Sequence, residues 1–243
     1  MVDPEAVADG IEDDLRAVGT PARAEGSKRY LKSDLDFVGA TVGQVRSETK
    51  RAGAALDHAG LLAVVDALWA APVFERRLTA ALLLESRVDV LEAGDLGVIE
   101  RLLRDSRTWA LVDVLAGNVA GLLLLRHPEV IVELDRWAAD DDFWIRRSAL
   151  LALRKPMQAG LPLDRFLRYA DAMLDEKEFF VRKAIGWVLR EEGRRRPGEI
   201  VAWLSPRAHR ASGVTMREAV KYLPPEDREA LMAAYRGRRA MRP

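Results

Sequence analysis

The chain has 243 residues, of which 49% are hydrophobic and 31% charged, and it contains no cysteine. This composition is that of a folded protein with a sizeable core, and it excludes disulfides, thiol catalysis and thiolate metal sites. Neither a signal peptide nor a run of eighteen apolar residues is visible, so we expect a cytosolic protein that does not bind membranes.

The formal net charge is zero, but the charge is unevenly distributed along the chain. From residue 176 to the end there are 16 Lys or Arg against 9 Asp or Glu, so the first 175 residues carry the compensating acidic excess. Such a polarised chain can present one basic face to an anionic partner. Part of the pattern also follows from helix dipoles, which favour acidic helix starts and basic helix ends.

Nearly every segment repeats its apolar residues with the 3.6-residue period of an α-helix, and strand-like alternation is nearly absent. Proline, glycine or a capping residue interrupts this pattern at short intervals. The predicted helix starts are Asp3-Pro4, Thr20-Pro21, Thr41, Asp95, Thr108, His127-Pro128, Asp141-Asp142, Leu161-Pro162, Arg196-Pro197 and Pro224-Pro225. The sequence therefore predicts an all-α protein.

The predicted helices pair off along the chain. The pairs cover residues 56–71 with 74–87, 95–105 with 108–125, 128–139 with 142–156, and 162–174 with 178–193. Successive pairs are roughly 35 to 40 residues apart, which is the range of two-helix solenoid repeats. We expect HEAT-like repeats stacked into a curved α-solenoid with a concave groove, forming a single domain over residues 1–243.

The predicted helix over 108–125 has an unusual face. Trp109 and Asp113 are four residues apart and therefore share one side, with Thr108 available as the N-cap. The next positions on that side are Ala116, Gly117 and Ala120. We expect these small residues to leave the face open. An aspartate inside a helix is a poor helix former, so Asp113 either serves a function or pairs with an arginine of an adjacent repeat.

A second face carries Arg147 and Lys155 in the helix predicted over 142–156. Arg147 lies off the apolar stripe of that helix. Lys155 follows eight residues later, about two turns, so we expect it on the same side as Arg147.

The residues of the helix predicted over 178–193 form two stripes along its surface. One is apolar and consists of Val181, Ala184, Ile185 and Val188. The other consists of Lys183, Trp187, Arg190 and Arg194. An exposed indole between cations suits a nucleic acid, because the cations bind phosphates and the ring binds apolar or cationic surface. A half-buried tryptophan with Lys and Arg extending past it explains this segment equally well.

The sequence lacks the motifs of several enzyme classes. It contains no Gly-x-Gly loop, no Walker-type loop and no His-Glu-x-x-His run, so acyl transfer, phosphoryl transfer and dinucleotide chemistry lack their usual parts. His58, His127 and His209 are far apart and have no ligand-like spacing. We therefore expect no metal and no cofactor.

One aspartate, one arginine and two tryptophans are suited to stabilising a cation near DNA. A purine alkylated at N3 or N7 is already cationic, so its glycosidic bond breaks without protonation and positive charge builds on the sugar. A carboxylate about 4 Å away contributes about 4 kcal/mol at an effective dielectric near 20, roughly a thousandfold in rate. Each indole face adds about 0.5–2 kcal/mol.

The same segments resemble the AlkD-type DNA glycosylases, a family of HEAT-like repeats that excises N3- and N7-alkylated purines. The resemblance covers roughly residues 20–222. It rests on Arg29-Tyr30-Leu31-Lys32, Trp109-x-x-x-Asp113, Leu125-Arg126-His127-Pro128-Glu129, Phe143-Trp144-Ile145-Arg146-Arg147 and the stretch from Lys177 to Glu191.

The resemblance implies a role for each matching residue. Asp113 would be the catalytic carboxylate near the sugar C1′ and would position or activate water. Trp109 and Trp187 would pack against the deoxyribose, and Arg147 would hold the nearby phosphate. The further DNA-binding residues would be Tyr30, Lys155 and Arg190, to which we add Lys183 from the same stripe. The family does not bury the flipped base in a pocket, and it tolerates bulky adducts.

We therefore expect a monofunctional glycosylase that acts as a monomer on duplex DNA containing alkylated purines, in the cytosol at the nucleoid. A non-catalytic HEAT-repeat protein that binds distorted or branched DNA would also explain the basic C-terminal third. A scaffold for protein interactions is the third hypothesis, and it is the default for an all-helical repeat chain.

Overall fold

The computed structural model of the chain describes residues 3–53 and 56–239, and within these residues the fold is all-α. The helices are α1 Pro4–Val18, α2 Pro21–Leu31, α3 Val42–Gly53, α4 His58–Ala70, α5 Phe74–Ser86, α6 Leu96–Arg104, α7 Trp109–Asp113, α8 Gly121–Arg126, α9 Ile131–Trp137, α10 Phe143–Ala152, α11 Arg154–Gln158, α12 Asp164–Ala172, α13 Phe179–Gly193, α14 Pro197–Leu204, α15 Gly213–Ala219 and α16 Pro225–Arg239. A π-helical segment, Val114–Ala120, joins α7 to α8.

Polar caps and prolines begin several helices where the sequence predicts them. The residues whose side chains accept a hydrogen bond from a backbone N–H of the first turn include Asp3, Thr20, Thr108 and Asp142. Pro197 and Pro225 begin α14 and α16, because proline has no N–H to leave unpaired in the first turn. The helix predicted to start at Leu161-Pro162 begins instead at Asp164.

The predicted helices are confirmed, with two interruptions that the apolar pattern does not show. The helix predicted over 108–125 runs from Trp109 to Arg126, but its middle is π-helical. The helix predicted over 142–156 ends at Ala152, and α11 begins after one intervening residue.

The described chain divides into two compact units, the first ending at Glu133 and the second beginning at Leu134. In the first unit, α5 lies at the centre and packs against α3, α4 and the π-helical segment. In the second unit, α13 has this central place and packs against α10, α14 and α15. The single domain expected from the sequence stays a prediction.

Polar side chains link positions that are about one predicted repeat apart. In the first unit, Arg101 donates to Asp66 across 35 residues of sequence. In the second unit, Lys183 donates to Glu218 across 35 residues and Arg207 to Asp171 across 36. These separations match the repeat spacing predicted from the sequence, so equivalent helices of successive pairs lie side by side within each unit.

The contact between α13 and α15 is close because α13 carries a glycine there. A Cβ atom added to Gly186 would lie 2.8 Å from Cβ of Glu218 and 2.9 Å from the carbonyl oxygen of Thr215. Real Cβ atoms do not approach other atoms so closely, so a glycine is needed for this packing. The contact brings Glu218 beside the polar stripe of α13.

The 18 residues from Trp109 to Arg126 are long and apolar enough to cross a membrane, with a mean hydropathy of 1.5. In the structure 56% of this stretch is buried. The core helix of a soluble protein passes the same test of length and composition, so the test by itself is weak support for a membrane span.

Candidate nucleic-acid interface

Trp109 and Asp113 form the two ends of α7 in the first unit. Thr108 caps this helix by accepting a hydrogen bond from the backbone N–H of Ala110 at 3.4 Å, which confirms the predicted N-cap. Trp109 and Asp113 are both half-buried. Because residues four apart share one side of an α-helix, the carboxylate and the indole leave α7 on the same side.

A strained turn leads into α7. Arg107, directly before the cap, has a left-handed backbone conformation with φ 53°, which is unfavourable for any residue with a side chain. Two carboxylates hold its guanidinium, Asp34 at 3.2 Å and Asp105 at 3.4 Å. These ion pairs help to fix the direction in which α7 begins.

A buried arginine supports the same turn from the core side. Arg77 donates to the backbone carbonyl of Asp105 at 2.7 Å, and its guanidinium lies 2.9 Å from the Asp105 carboxylate. The indole N–H of Trp69 donates to that carboxylate at 3.1 Å. Burial lowers the pKa of Arg77, and the loss of its carboxylate partner would leave a buried charge uncompensated. Arg77 and Asp105 therefore hold the segment that positions Trp109.

The structure brings Tyr30 against Trp109. The two ring centroids are 5.8 Å apart and the ring planes meet at 81°, which is the favourable edge-to-face arrangement. Tyr30 lies near the end of α2 and is 72% exposed. None of the residues of α2 is buried, so the surface of this helix beside Trp109 is accessible.

The π-helical segment after Asp113 overturns one prediction. Its i→i+5 hydrogen bonds place more residues in a turn than an α-helix has, so the faces shift beyond Asp113. Ala116, Gly117 and Ala120 are buried, and the prediction that they leave the face of Asp113 open is wrong. Segments of this kind are rare and often occur at functional sites.

Arg147 is buried in the second unit, with 3% of its surface exposed. Its guanidinium donates to the backbone carbonyl of Phe180, in the first turn of α13. Arginine is seldom buried unless it is paired, so this bond indicates that Arg147 joins α10 to the start of α13. Its predicted contact with a phosphate stays a prediction.

Trp187 is half-buried in α13. An arginine that the sequence pattern does not single out packs on its ring. The guanidinium carbon of Arg154 lies 4.1 Å from the Trp187 ring centroid, within the range of a cation–π interaction. Arg154 precedes Trp187 by about one repeat, so the repeat spacing is the signal that points to it. The half-buried ring with an arginine against it matches the packing interpretation of this segment. The part of the ring that stays accessible leaves the nucleic-acid interpretation open.

Lys155 directly follows Arg154 and is half-buried in α11. The helix predicted to carry both Arg147 and Lys155 ends at Ala152, and Lys155 belongs to α11, which begins after Leu153. The shared side of Arg147 and Lys155 and the DNA contact of Lys155 both stay predictions.

Glu218 of α15 binds two of the predicted DNA-binding cations. The ammonium of Lys183 donates to Oε1 of Glu218 at 2.5 Å, and Arg190 pairs with Oε2. The hydrogen bond from Lys183 holds the pKa of the Glu218 carboxyl below its usual range, and the charge of Arg190 adds to this effect. A DNA phosphate would have to compete with Glu218 for both cations, whose role at DNA stays a prediction.

The predicted site residues lie in both units, and we name two clusters among them, the first-unit and the second-unit cluster. The first contains Tyr30, Trp109 and Asp113, and the second contains Arg147, Lys155 and Trp187 with the added Arg154. That Trp187 faces Trp109 across a groove stays a prediction. Over residues 3–53 and 56–239, no three His, Asp or Glu side chains are grouped as a metal site requires. The side chains of both clusters are suited to stabilising charge and binding phosphate.

The described residues thus define an all-α protein with aromatic and charged side chains grouped in both units. The chain belongs to the family described as DNA alkylation repair enzyme, whose profile matches residues 11–223. Curated protein sequences gave no match.

Solved structures that are similar to the chain include the following two. One is the "Predicted DNA alkylation repair enzyme from Enterococcus faecalis", which is 21% identical with a TM-score of 0.75, over 85% of this chain and 97% of that chain. The other is AlkD2 from Streptococcus mutans, which is 13% identical with a TM-score of 0.67, over 91% of this chain and 99% of that chain. At these identities the likeness establishes the fold alone.

Proposed function

We propose that the protein is a monofunctional DNA glycosylase. Its substrate is duplex DNA carrying a cationic purine alkylated at N3 or N7, such as 3-methyladenine or 7-methylguanine. It hydrolyses the N-glycosidic bond without burying a flipped base in a pocket. It requires neither metal nor cofactor, acts as a monomer and works in the cytosol at the nucleoid.

The observation that carries this proposal is the first-unit cluster of Tyr30, Trp109 and Asp113. A single short helix presents an indole and a carboxylate on one side, and its start is capped by Thr108. The edge-to-face contact with Tyr30 orients the indole further. A carboxylate and an aromatic face that are held together in this way suit a sugar on which positive charge develops. Family membership supports DNA repair as the setting.

The proposed reaction needs little acid catalysis. The bond between C1′ and the purine nitrogen breaks, and its electron pair cancels the positive charge of the alkylated ring. Asp113 stabilises the cationic sugar, by about 4 kcal/mol if its carboxylate comes within about 4 Å at an effective dielectric near 20. A water held by Asp113 adds to C1′ and gives a proton to the carboxylate. The products are the free alkylpurine and an abasic site, and the strand stays intact.

The second-unit cluster binds the damaged strand in this proposal. Trp187 packs against the deoxyribose through the part of its ring that Arg154 does not cover. Arg147 orders the first turn of α13 and holds the phosphate beside the lesion, with Lys155 as a further phosphate contact. Lys183 and Arg190 add contacts once a phosphate replaces Glu218.

A base-release assay tests the proposal. Methylated duplex DNA is incubated with excess protein in EDTA, and free 3-methyladenine and 7-methylguanine are separated by chromatography. We expect release well above the spontaneous rate, and release no faster than in the protein-free reaction would refute the glycosylase assignment. A second duplex with a bulky N7 adduct measures how large an alkyl group is accepted.

One observation favours a second candidate, a non-catalytic protein that binds distorted or branched DNA. From residue 176 to the end there are 16 Lys or Arg against 9 Asp or Glu, and DNA binding without any reaction would explain this basic excess. Tight, salt-dependent binding to a four-way junction, together with no base release, would select this candidate.

A further inference from the structure

An exposed tyrosine surrounded by cations lies beyond the end of α13 in the second unit. Tyr222 is 41% exposed, and the guanidinium of Arg194 lies over its ring at 3.8 Å from the centroid. The ammonium of Lys221 lies 5.9 Å and the guanidinium of Arg190 6.0 Å from the same centroid. We name Arg194, Lys221 and Tyr222 the C-terminal patch.

The side chain of Arg194 makes a different kind of contact from those of its two neighbours. Arg195 and Arg196 both donate to the carbonyl oxygen of Met157 near the end of α11, as basic side chains commonly do at a helix C-terminus. Arg194 instead stacks on an exposed ring. Across the described part of the chain, neither Arg194 nor Lys221 has a carboxylate within ion-pair distance.

Two carboxylates near the patch already have basic partners within ion-pair distance. Glu218 pairs with Lys183 and Arg190, and Glu191 lies 3.3 Å from Arg190. The charges of Arg194 and Lys221 cannot be more than about 10 Å apart, because both lie close to one ring. Their mutual repulsion is reduced when an anion binds near both of them.

The stacked arginine is also prepared for an anion. A guanidinium lying flat on a ring keeps its N–H edge available for phosphate, which it can bind through two donors. The ring restricts the side chain before binding, so less conformational entropy is lost when the phosphate arrives. A phosphodiester backbone therefore fits the patch better than an isolated carboxylate does.

We propose that the C-terminal patch binds backbone phosphates of the damaged duplex about three nucleotides to one side of the lesion. This inference rests on the proposed function, because it takes Trp187 as the position of the damaged nucleotide. Trp187, Arg190 and Arg194 recur on one face of α13, and Arg194 keeps helical angles of φ −71° and ψ −29°.

The distance follows from helix geometry. Seven residues of α-helix, from Trp187 to Arg194, span about 10 Å. Successive phosphates of one strand advance by about 3.4 Å along the duplex axis. With α13 aligned along the duplex axis, the strand therefore reaches the patch about three phosphates away from Trp187.

Neutral linkages in the DNA test the position directly. The probe is a duplex with a tetrahydrofuran abasic analogue at its centre and one uncharged methylphosphonate linkage, moved stepwise along the damaged strand on either side. Dissociation constants are measured by fluorescence anisotropy for the unaltered protein and for Arg194→Gln/Lys221→Gln. We expect a neutral linkage about three nucleotides from the analogue to weaken binding by the unaltered protein roughly three- to tenfold, and to have no further effect on the double variant.

A matched control removes the same charge elsewhere. Arg228→Gln/Arg236→Gln replaces two exposed cations of α16 and should keep the sensitivity to that linkage. The patch is wrong if the Arg194/Lys221 variant keeps the sensitivity, or if the control loses it. If the unaltered protein releases base but no neutral linkage loses its effect in the Arg194/Lys221 variant, the proposed patch is wrong and the glycosylase proposal stands. An unaltered protein that neither binds this duplex nor releases base overturns both.

Discussion

Arg154 lies over the indole ring of Trp187, with its guanidinium carbon 4.1 Å from the ring centroid. One face of a ring that the sequence assigns to the substrate is therefore covered by a cation of the protein itself. A cation on one face makes the ring a weaker partner for a second cation on the other. We infer that Trp187 acts on the deoxyribose mainly by packing and that charge stabilisation depends on Asp113.

The contact between Arg154 and Trp187 should be measurable as a coupling in stability. We expect a double-mutant cycle of Arg154→Met and Trp187→Leu to give a coupling of about 0.5–1 kcal/mol in the free energy of unfolding by urea, the usual size of a cation–π pair. Lys155→Met, paired with the same tryptophan substitution, is the control and should show almost no coupling. Equal coupling in both cycles would mean that the stacking contributes nothing specific.

Asp113→Asn tests the proposed catalytic carboxylate while keeping the shape of the side chain. We expect single-turnover release of 7-methylguanine to slow by roughly a thousandfold, which corresponds to the loss of about 4 kcal/mol of charge stabilisation. Binding to undamaged duplex should change little, because the substitution removes no phosphate contact. Asp66→Asn, at an exposed carboxylate of α4, is the control and should release base at the normal rate. Full activity of Asp113→Asn would remove Asp113 from the mechanism.

The helices and the first-unit cluster are largely predictable from the sequence for local reasons. Thr108 marks the start of α7 because a threonine side chain satisfies an N–H of the first turn, and Trp109 and Asp113 share a side because they are one turn apart. The π-helical segment is not predictable in this way. Its residues belong to one long, mostly apolar run, and the two polar residues near the change, Asp113 and Asn118, do not indicate by their spacing that the helical period alters.

The partners of the second-unit cations depend on how neighbouring helices are turned about their axes. The repeat spacing places α15 one repeat beyond α13, but it does not show that Glu218 faces Lys183 and Arg190. The same holds for Arg154, which reaches Trp187 although the adjacent Lys155 is the residue that the sequence favours. Periodicity thus predicts which residues share a face, whereas tertiary packing decides which faces meet.

The hydrogen-bonded pair of His58 and Asp95 in the first unit should make the free energy of unfolding depend on pH. His58 Nε2 lies 2.8 Å from Asp95 Oδ2, and this hydrogen bond raises the pKa of His58. Because the folded state binds the proton more tightly, the pair stabilises fully below the ordinary histidine pKa of about 6.5, and this contribution is lost as pH rises through the folded-state pKa. We expect His58→Gln to lower the urea midpoint more at about pH 5.5 than at about pH 9.

His209→Gln is the control for this pH dependence, because His209 is exposed and belongs to the other unit. Its effect on the urea midpoint should be the same at both pH values. A His58→Gln effect that is independent of pH, or larger in base than in acid, would contradict the assigned pair.

Alanine substitutions at two helical glycines should have opposite effects on stability, because only Gly186 lies in the close contact between α13 and α15. In Gly186→Ala the new methyl group would meet Cβ of Glu218 and the carbonyl of Thr215, so we expect the free energy of unfolding to fall by about 1–3 kcal/mol. Gly10 lies in α1 with no atom within 4 Å of a built Cβ, so Gly10→Ala should be neutral or raise stability by up to about 1 kcal/mol. Urea unfolding of both variants checks the pair, and a Gly186→Ala variant as stable as the unaltered protein would show that the helices can separate at no cost.

Glu218→Gln should bind DNA more tightly, because it frees two cations that now pair within the protein. Lys183 and Arg190 would then be available to phosphates, and we expect the slope of log K against log salt to steepen by up to about 0.9 for each phosphate gained. Fluorescence anisotropy on an undamaged duplex at several salt concentrations measures both quantities. Glu226→Gln, an exposed carboxylate of α16, makes the same change in net charge and should have a smaller effect.

The same substitution should lower stability in a way that depends on pH. The pKa of Glu218 is lowered in the folded state, chiefly by the hydrogen bond from Lys183, so its contribution is present above the ordinary glutamate pKa of about 4.3. That contribution is lost as pH falls through the folded-state pKa, so the urea midpoints of Glu218→Gln and the unaltered protein should converge in acid. Lower stability at neutral pH without tighter DNA binding would mean that Lys183 and Arg190 only join α13 to α15 and do not reach the DNA.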